Sequence, residues 1–218
     1  MARIAFPRRE FCGGNCSTPA GVALGAVPSG RYSGRMMETA EGSTRTRLLD
    51  ATVAVLGRDG LHALTLEAVA AQAGVSKGGL LYHFPSKQQL VETLIRELID
   101  AFAAEVEQRA SELAGVRGRW SRAYLDTTDA EQDNAGRWLA ALSAFATEPA
   151  LLDPWRELAS GWFERDVAEG ADPVTVMSAI LAADGLWVAD VLGMQTLSTE
   201  LRGALLARLR EQLQGSAR

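Results

Sequence analysis

Cysteine is almost absent from this chain of 218 residues, and the two present, Cys12 and Cys16, both lie near its start. That excludes a disulfide scaffold and suits a reducing compartment. The pair also lacks the further ligands that a zinc site needs. Histidine is as scarce: His62 and His83 have no metal-ligand neighbour in the sequence, so neither a metal nor a cofactor is expected. The Zn-protease H-E-x-x-H, the P-loop, the nucleophile elbow and the dinucleotide fingerprint are all missing, so no catalytic residue is nominated and an enzyme is not expected. Long uncharged apolar runs are missing too. The most apolar stretch, Val174 to Leu192, contains Asp184 and Asp190, and an aspartate at mid-bilayer costs about 2.5–3.5 kcal/mol. The start of the chain makes a poor signal peptide, because its apolar patch Ala20 to Val27 is short and built of small residues. A cytoplasmic protein with no membrane partner is expected.

What is present favours helix. Ala, Leu, Glu and Arg dominate after residue 43, and β-branched residues are few there. The formal net charge is −5, unevenly spread: +3 over residues 1–40, +1 over 41–90 and −9 over 91–218. The acidic C-terminal part should point away from any polyanion, which leaves the N-terminal part to approach one.

Residues 1–40 are rich in Gly, Ser, Pro and Arg, carry no helical or strand period, and read as a disordered extension. Met36 and Met37 sit just before the first periodic segment and mark an alternative start; a basic arm that follows DNA phosphates is the other reading of this leader. A first helix is expected over about 44–59, with Gly60 as its stop. A second opens at the N-cap Thr65 and ends at Gly74, and a short third opens at Ser76. Pro85 breaks the third helix, and Ser86 with Gln89 forms a capping box for a long fourth helix reaching about Arg109. Five more helices are expected near 117–128, 134–147, 153–169, 173–193 and 198–214, bounded by Pro149, Pro154, Pro173 and the Gly193/Ser198 pair. The fold class is all-α with about nine helices: a three-helix head over 41–90 and a larger helical part over 91–218.

Residues 65–84 have the logic of a helix-turn-helix. Ala70 is small enough to let the third helix approach, Gly74 supplies a turn that a Cβ would resist, and Val75 packs in the angle between the helices. The third helix then offers its first turn to a major groove. Chemistry nominates the contacts. Lys77 reaches a phosphate or a guanine edge; Tyr82 and His83 donate to phosphates or touch bases. Gly78 and Gly79, side by side with Ser76, let backbone come close to DNA at a cost of about 1 kcal/mol each in helix propensity. Lys87 joins the backbone amides at the start of the fourth helix, Thr65 does the same at the second, and Arg45 and Arg47 are candidates for the backbone or minor groove. Leu80 and Phe84, four apart, are core.

The stretch GLHALTLEAVAAQAGVSKGGLLYHFPSKQQLVETL, residues 60–94, resembles the tetracycline-repressor (TetR) family of bacterial regulators. The A-G-V-S-K-G turn and the F-P-S-K junction occur together at the family's spacing. The resemblance implies a DNA-binding head and a pocket for a small molecule in the divergent helices that follow. One departure stands out: the family commonly has tyrosine where this chain has Leu81, so the phosphate contact of that tyrosine is missing or passes to Tyr82, about 100° further round the helix.

All five tryptophans lie after residue 110. Singly each reads as core; as a set they suggest an aromatic-lined cavity. The candidate ligand residues are Trp120, Trp138, Phe145, Trp162, Phe163, Met177 and Asp184. Asp184, mid-helix on an apolar element, either meets a cationic ligand, faces solvent, or pairs with an arginine across a dimer. The last two helices read as a homodimer interface, with Ile180, Trp187 and Val191 along one and Leu201, Leu205 and Leu209 along the other. The expected function is a repressor that binds palindromic operator DNA as a homodimer and is released by a small-molecule effector acting through the long fourth helix. A ligand-binding or protein-interaction module without specific DNA binding is the rival.

Overall fold

The computed structural model describes residues 40–194 and 197–215; the expectations for residues 1–39 lie outside the described residues. Every regular element described is helical. In chain order they are α1 (Ala40–Ala63), α2 (Leu66–Ala73), α3 (Lys77–His83), α4 (Lys87–Glu112), α5 (Arg119–Ala130), α6 (Ala135–Phe145), α7 (Asp153–Ala168), α8 (Pro173–Val191) and α9 (Thr199–Gly215), with 3-10 turns at Glu131–Asn134 and Pro149–Leu152.

The local signals act as the residues predict. Gly60 sits at φ 75°, ψ 174°, so the regular part of α1 ends there and only a short turn continues to Ala63. The hydroxyls of Thr65, Ser76 and Ser86 each accept the backbone N–H three residues on, at 3.1 Å, satisfying donors that have no partner inside their own helices. Gly74 takes the left-handed conformation at φ 67°, and the N–H of Val75 reaches back to the Ala70 carbonyl at 3.0 Å, a Schellman-type ending that turns the chain from α2 into α3.

One apolar cluster runs from the head into the C-terminal helices. Leu48, Val55, Leu64, Val69, Leu80, Phe84 and Leu90 fill its head end; Phe102, Val106, Tyr124, Leu125 and Trp138 continue it. α4 is the shared member, buried along its length from Leu90 to Ala110. A second tie joins the two parts: α6 packs on α1, where Arg137 pairs with Asp50.

Polar groups lock the C-terminal helices together. The buried Asp166 of α7 accepts from Trp120 N at 3.0 Å, Ser121 N at 2.7 Å and Ser121 Oγ at 2.5 Å. It caps α5 from a different helix, because the N-cap of α5 is Gly118, which has no side chain to do so. Burial pushes this carboxyl above its ordinary range, against the pull of those hydrogen bonds. Arg202 of α9, also buried, donates to Asp129 at 2.7 Å and Asp190 at 3.1 Å.

By length and apolar composition alone, α8 is long enough to cross a membrane. Val176, Ala179, Ala183, Leu186 and Val191 are buried against the rest of the chain, and Asp184 and Asp190 are engaged by Tyr124 and Arg202.

Candidate functional site

α2 and α3 cross at the Gly74 turn, and α3 turns two faces in different directions. Leu80 and Phe84 lock into the core at 0% and 3% exposure. Lys77, Gly78, Leu81 and Tyr82 face outward, and Gly79 and His83 lie at the edges. Tyr82 is 75% exposed and stands edge-on to the His83 ring at 5.1 Å. Among the described residues, chain neighbours and the helix's own backbone aside, the Ser76 hydroxyl is what comes within 4 Å of where Cβ atoms on Gly78 and Gly79 would stand.

The remaining head residues nominated from sequence ring this face, several with partners of their own. Lys77 pairs with Glu67 of α2 at 2.6 Å, which holds the Glu67 carboxyl below its ordinary range. Arg47 donates to the Ala73 carbonyl at 2.6 Å, closing the end of α2. Arg45 pairs with Glu97 on α4 and lies over the Phe84 ring, 5.7 Å from its centroid. Arg45 and Arg47 therefore brace α1 against its neighbours. Lys87 is exposed at the start of α4 and borders a cleft of about 460 Å³ with Val91, Ala144, Thr147 and Glu148.

In the C-terminal part, six rings from five helices meet: Phe102 (α4), Tyr124 (α5), Trp138 (α6), Trp155 and Trp162 (α7) and Trp187 (α8). Phe102 is the hub, with ring centroids 5.1 Å from Trp155, 5.6 Å from Tyr124, 6.0 Å from Trp138 and 6.4 Å from Trp162. Trp187 joins through Trp138 at 5.6 Å. The angles are mostly edge-to-face, the arrangement that ring quadrupoles favour. The Tyr124 hydroxyl donates to Asp184 at the border of this cluster. Burial raises the Asp184 carboxyl while the tyrosine's hydrogen bond lowers it; burial and the neighbouring carboxylate push the Tyr124 hydroxyl well up.

Of the ligand residues nominated from sequence, Trp138 and Trp162 are in the cluster and Asp184 borders it. Trp120 stands apart, between the guanidinium groups of Arg119 and Arg165 at 4.7 and 4.5 Å. Phe145 is buried at the end of α6, Phe163 packs against a separate small core with Val176 and Leu213, and Met177 is 41% exposed. Phe102, the hub, escaped sequence reasoning because an aromatic on the apolar stripe of a long helix looks like any other core residue.

On α8 and α9, Val191 and Leu209 are buried within the one chain, Ile180, Trp187 and Leu205 are half-buried, and Leu201 is exposed. A different stripe of α8 is bare: Val174 (73% exposed), Met177, Leu181 (62%), Val188 and Leu192. Their spacing of 3, 4, 7 and 4 puts them on one face. On a helix apolar all round, the sequence period does not say which stripe faces outward.

Comparison with known proteins agrees across both halves. Residues 48–94 match the family model described as bacterial regulatory proteins, tetR family, and residues 118–214 match the tetracyclin repressor-like C-terminal domain. The chain is 30% identical over 167 residues to the HTH-type transcriptional regulator BetI of Burkholderia mallei, a match spanning 72% of this chain and 86% of that one. It is 26% identical over 172 residues to BetI of Vibrio campbellii, spanning 72% and 84%. Among solved structures, the multidrug binding protein EbrR complexed with malachite green aligns at 26% identity and a TM-score of 0.54, covering 76% of this chain and 96% of that one. A transcriptional regulator from Rhodococcus sp. Rha1 aligns in fold at 24% identity and a TM-score of 0.62, covering 78% and 96%. The head crosses two short helices as a DNA-reading unit does, both halves match models of one family, and the chain therefore belongs to the TetR family of DNA-binding transcriptional regulators.

Proposed function

We propose that this regulator is a cytoplasmic repressor that holds a palindromic operator as a homodimer and lets go when a small organic molecule enters the C-terminal helices. The observation that carries the reading is the bare apolar stripe of α8. Val174, Met177, Leu181, Val188 and Leu192 are withdrawn from water when a second copy covers them, and a two-fold pair of such helices is self-complementary. Pairing there brings two α3 helices to one DNA duplex, where half-sites about 34–36 Å apart meet both.

On this reading the head is residues 41–90, and α3 enters the major groove. Lys77, Tyr82 and His83 make the side-chain contacts, Ser76, Gly78 and Gly79 allow the approach, and Thr65 and Lys87 meet flanking phosphates. Arg45 and Arg47 contribute least, because they lie on α1 rather than on the recognition helix and brace α1 against α4 and α2. Residues 91–218 supply the sensor and the dimer. The ligand parts the six rings, beginning at the half-buried Trp155 and Trp187, and Asp184 attracts a cationic or hydrogen-bonding group. That the similar EbrR was solved with malachite green supports a small organic ligand. Phe102 lies fifteen residues along α4 from Lys87, about 22 Å at helical rise, so a displaced ring moves the helix that follows α3 directly across Pro85 and Ser86. The ligand shifts the balance only by preferring the displaced state.

The test is direct. Selection from random duplex DNA by the purified chain should return an inverted repeat, bound by a species of dimer mass in sedimentation. Leu181→Glu should yield a folded monomer that binds the repeat far more weakly. A monomeric wild type binding single half-sites with full affinity would overturn the dimeric reading. A screen of small organic molecules by tryptophan fluorescence, followed by operator release, tests the sensor, and Trp155→Ala should abolish the response.

A further inference from the structure

The outward face of α3 has an unusual make-up for a surface that reads base sequence. Among its seven residues there is no Arg, Asn, Gln, Asp or Glu, so Lys77 is its one side chain suited to a guanine edge, and it has none that reads adenine or cytosine edges through paired hydrogen bonds. Successive residues turn by about 100°. Taking Lys77 as the origin, Leu81 stands near 40°, Gly78 near 100° and Tyr82 near 140°. Leu81 therefore sits between the cation and the phenol, on the Lys77 side of the exposed arc, and it is 38% exposed while its neighbour Leu80 is wholly buried. Helical side chains lean toward the N-terminus of their helix, so Leu81 reaches over the turn that holds Gly78. Gly78 offers no side chain there, and a Cβ at that position would meet only the Ser76 hydroxyl, at 4.0 Å. The result is an apolar knob beside a backbone dent, flanked by one ammonium and one phenol.

A leucine on this surface gains nothing from phosphates or from base-edge donors and acceptors. The apolar feature of the major groove is the C5-methyl of thymine. We propose that Leu81 is the specificity-determining residue of α3 and that it reads the methyl group of one thymine in each operator half-site, with Lys77 and Tyr82 fixing the register on either side. The inference rests on α3 being the groove-reading helix and adds which base it selects and through which atoms.

The experiment starts from the inverted repeat selected by the full-length chain. Each thymine is replaced in turn by deoxyuridine, which removes one methyl and leaves every hydrogen-bonding group in place. Burying one such group is worth about fourfold in binding. One thymine per half-site should therefore lose about fourfold, and the symmetric double replacement about fifteenfold. The Leu81→Ala protein should bind the thymine and deoxyuridine operators alike. Leu81→Met, which restores an apolar side chain of similar reach, should regain the discrimination. A structural role for Leu81 would lower affinity for both operators equally and leave the methyl effect intact. The proposal is overturned if no thymine in the half-site is methyl-sensitive, or if sensitivity persists in Leu81→Ala. If random DNA yields no selected site at all, the groove-reading role of α3 fails first, and this outcome is distinct from methyl-insensitive binding to a well-defined repeat.

Discussion

Residues 65–84 and the helices beyond residue 118 place their polar groups in opposite ways. In residues 65–84 the charges and hydroxyls stay at the surface, and the capping hydroxyls of Thr65 and Ser76 each serve their own helix, three residues away. In the C-terminal part the polar groups go inside and reach across the chain: Asp166 caps α5 from α7, Arg202 ties α9 to two aspartates, and Tyr124 on α5 meets Asp184 on α8. The first arrangement leaves a face free to meet a highly charged polymer. The second builds an interior whose helices are held in register, and six rings packed among them can then act as one unit.

The sharpest way to break that comparison is to remove a cation from each region. Arg202→Ala leaves Asp129 and Asp190 facing one another without their shared guanidinium. Breaking a buried pair by removing one partner costs about 3–5 kcal/mol, so urea unfolding should show a large fall in midpoint. If Arg202→Ala proves as mild as an exposed substitution, the buried network is not what holds α9 in place.

Gly74→Ala tests the head at its turn. The φ of 67° is what a Cβ resists, and the new methyl would meet only the Arg47 guanidinium at an ordinary 3.8 Å. The cost is conformational, about 1–2 kcal/mol, read as a smaller fall in the same midpoint. A neutral outcome would mean that the chain re-forms the α2–α3 turn with ordinary φ.

This difference between the regions is also what made one legible from sequence and the other not. Thr65, Ser76, Ser86, Gly60, Gly74 and Pro85 act on residues within a few positions of themselves, so the helices of the head and the inward turn of Leu80 and Phe84 follow from the string alone. The helix count after residue 112 follows too, because proline and glycine punctuate it. Which tryptophans meet does not, because ring contacts join residues as far apart as Phe102 and Trp162 with no local signal. Trp120 and Trp138 look alike in sequence, yet one lies between two arginines and the other in the ring cluster. On α8 both stripes are apolar, and packing against α5, α6, α7 and α9 decides how far each is covered: Ile180 and Trp187 are half-buried and Val191 buried, while Leu181 and Val188 are exposed.

Lys77→Ala should separate function from stability in the head. Its pair with Glu67 is well exposed on both sides, and solvent screening leaves such pairs little influence on stability, so the unfolding midpoint should hardly move. Operator affinity should fall, and the slope of log affinity against log salt should shrink by about 0.9 for each phosphate no longer neutralised. An unchanged affinity and slope would remove Lys77 from the interface.

The smallest effect compares two acids with opposite shifts. Burial raises the Asp184 carboxyl above its ordinary value of 3.8. As pH rises, the unfolded chain gives up this proton before the folded one does, so folding loses stability from about pH 4 up through the folded-state value, and the loss remains at neutral pH. Asp184→Asn keeps the shape and an acceptor for Tyr124 but carries no charge. The variant should unfold at higher urea than wild type at pH 7 and show no advantage below the ordinary carboxyl range. Glu67 has the reverse sign: Lys77 holds its carboxyl below the ordinary 4.5, so its contribution is present above that value and lost as pH falls through the lowered one. Glu67→Gln should therefore be slightly destabilising at pH 7 and silent in acid. A loss of stability at neutral pH in Asp184→Asn would mean that the tyrosine's bond to the charged carboxylate outweighs its burial, and the interior acid would then behave like the surface one.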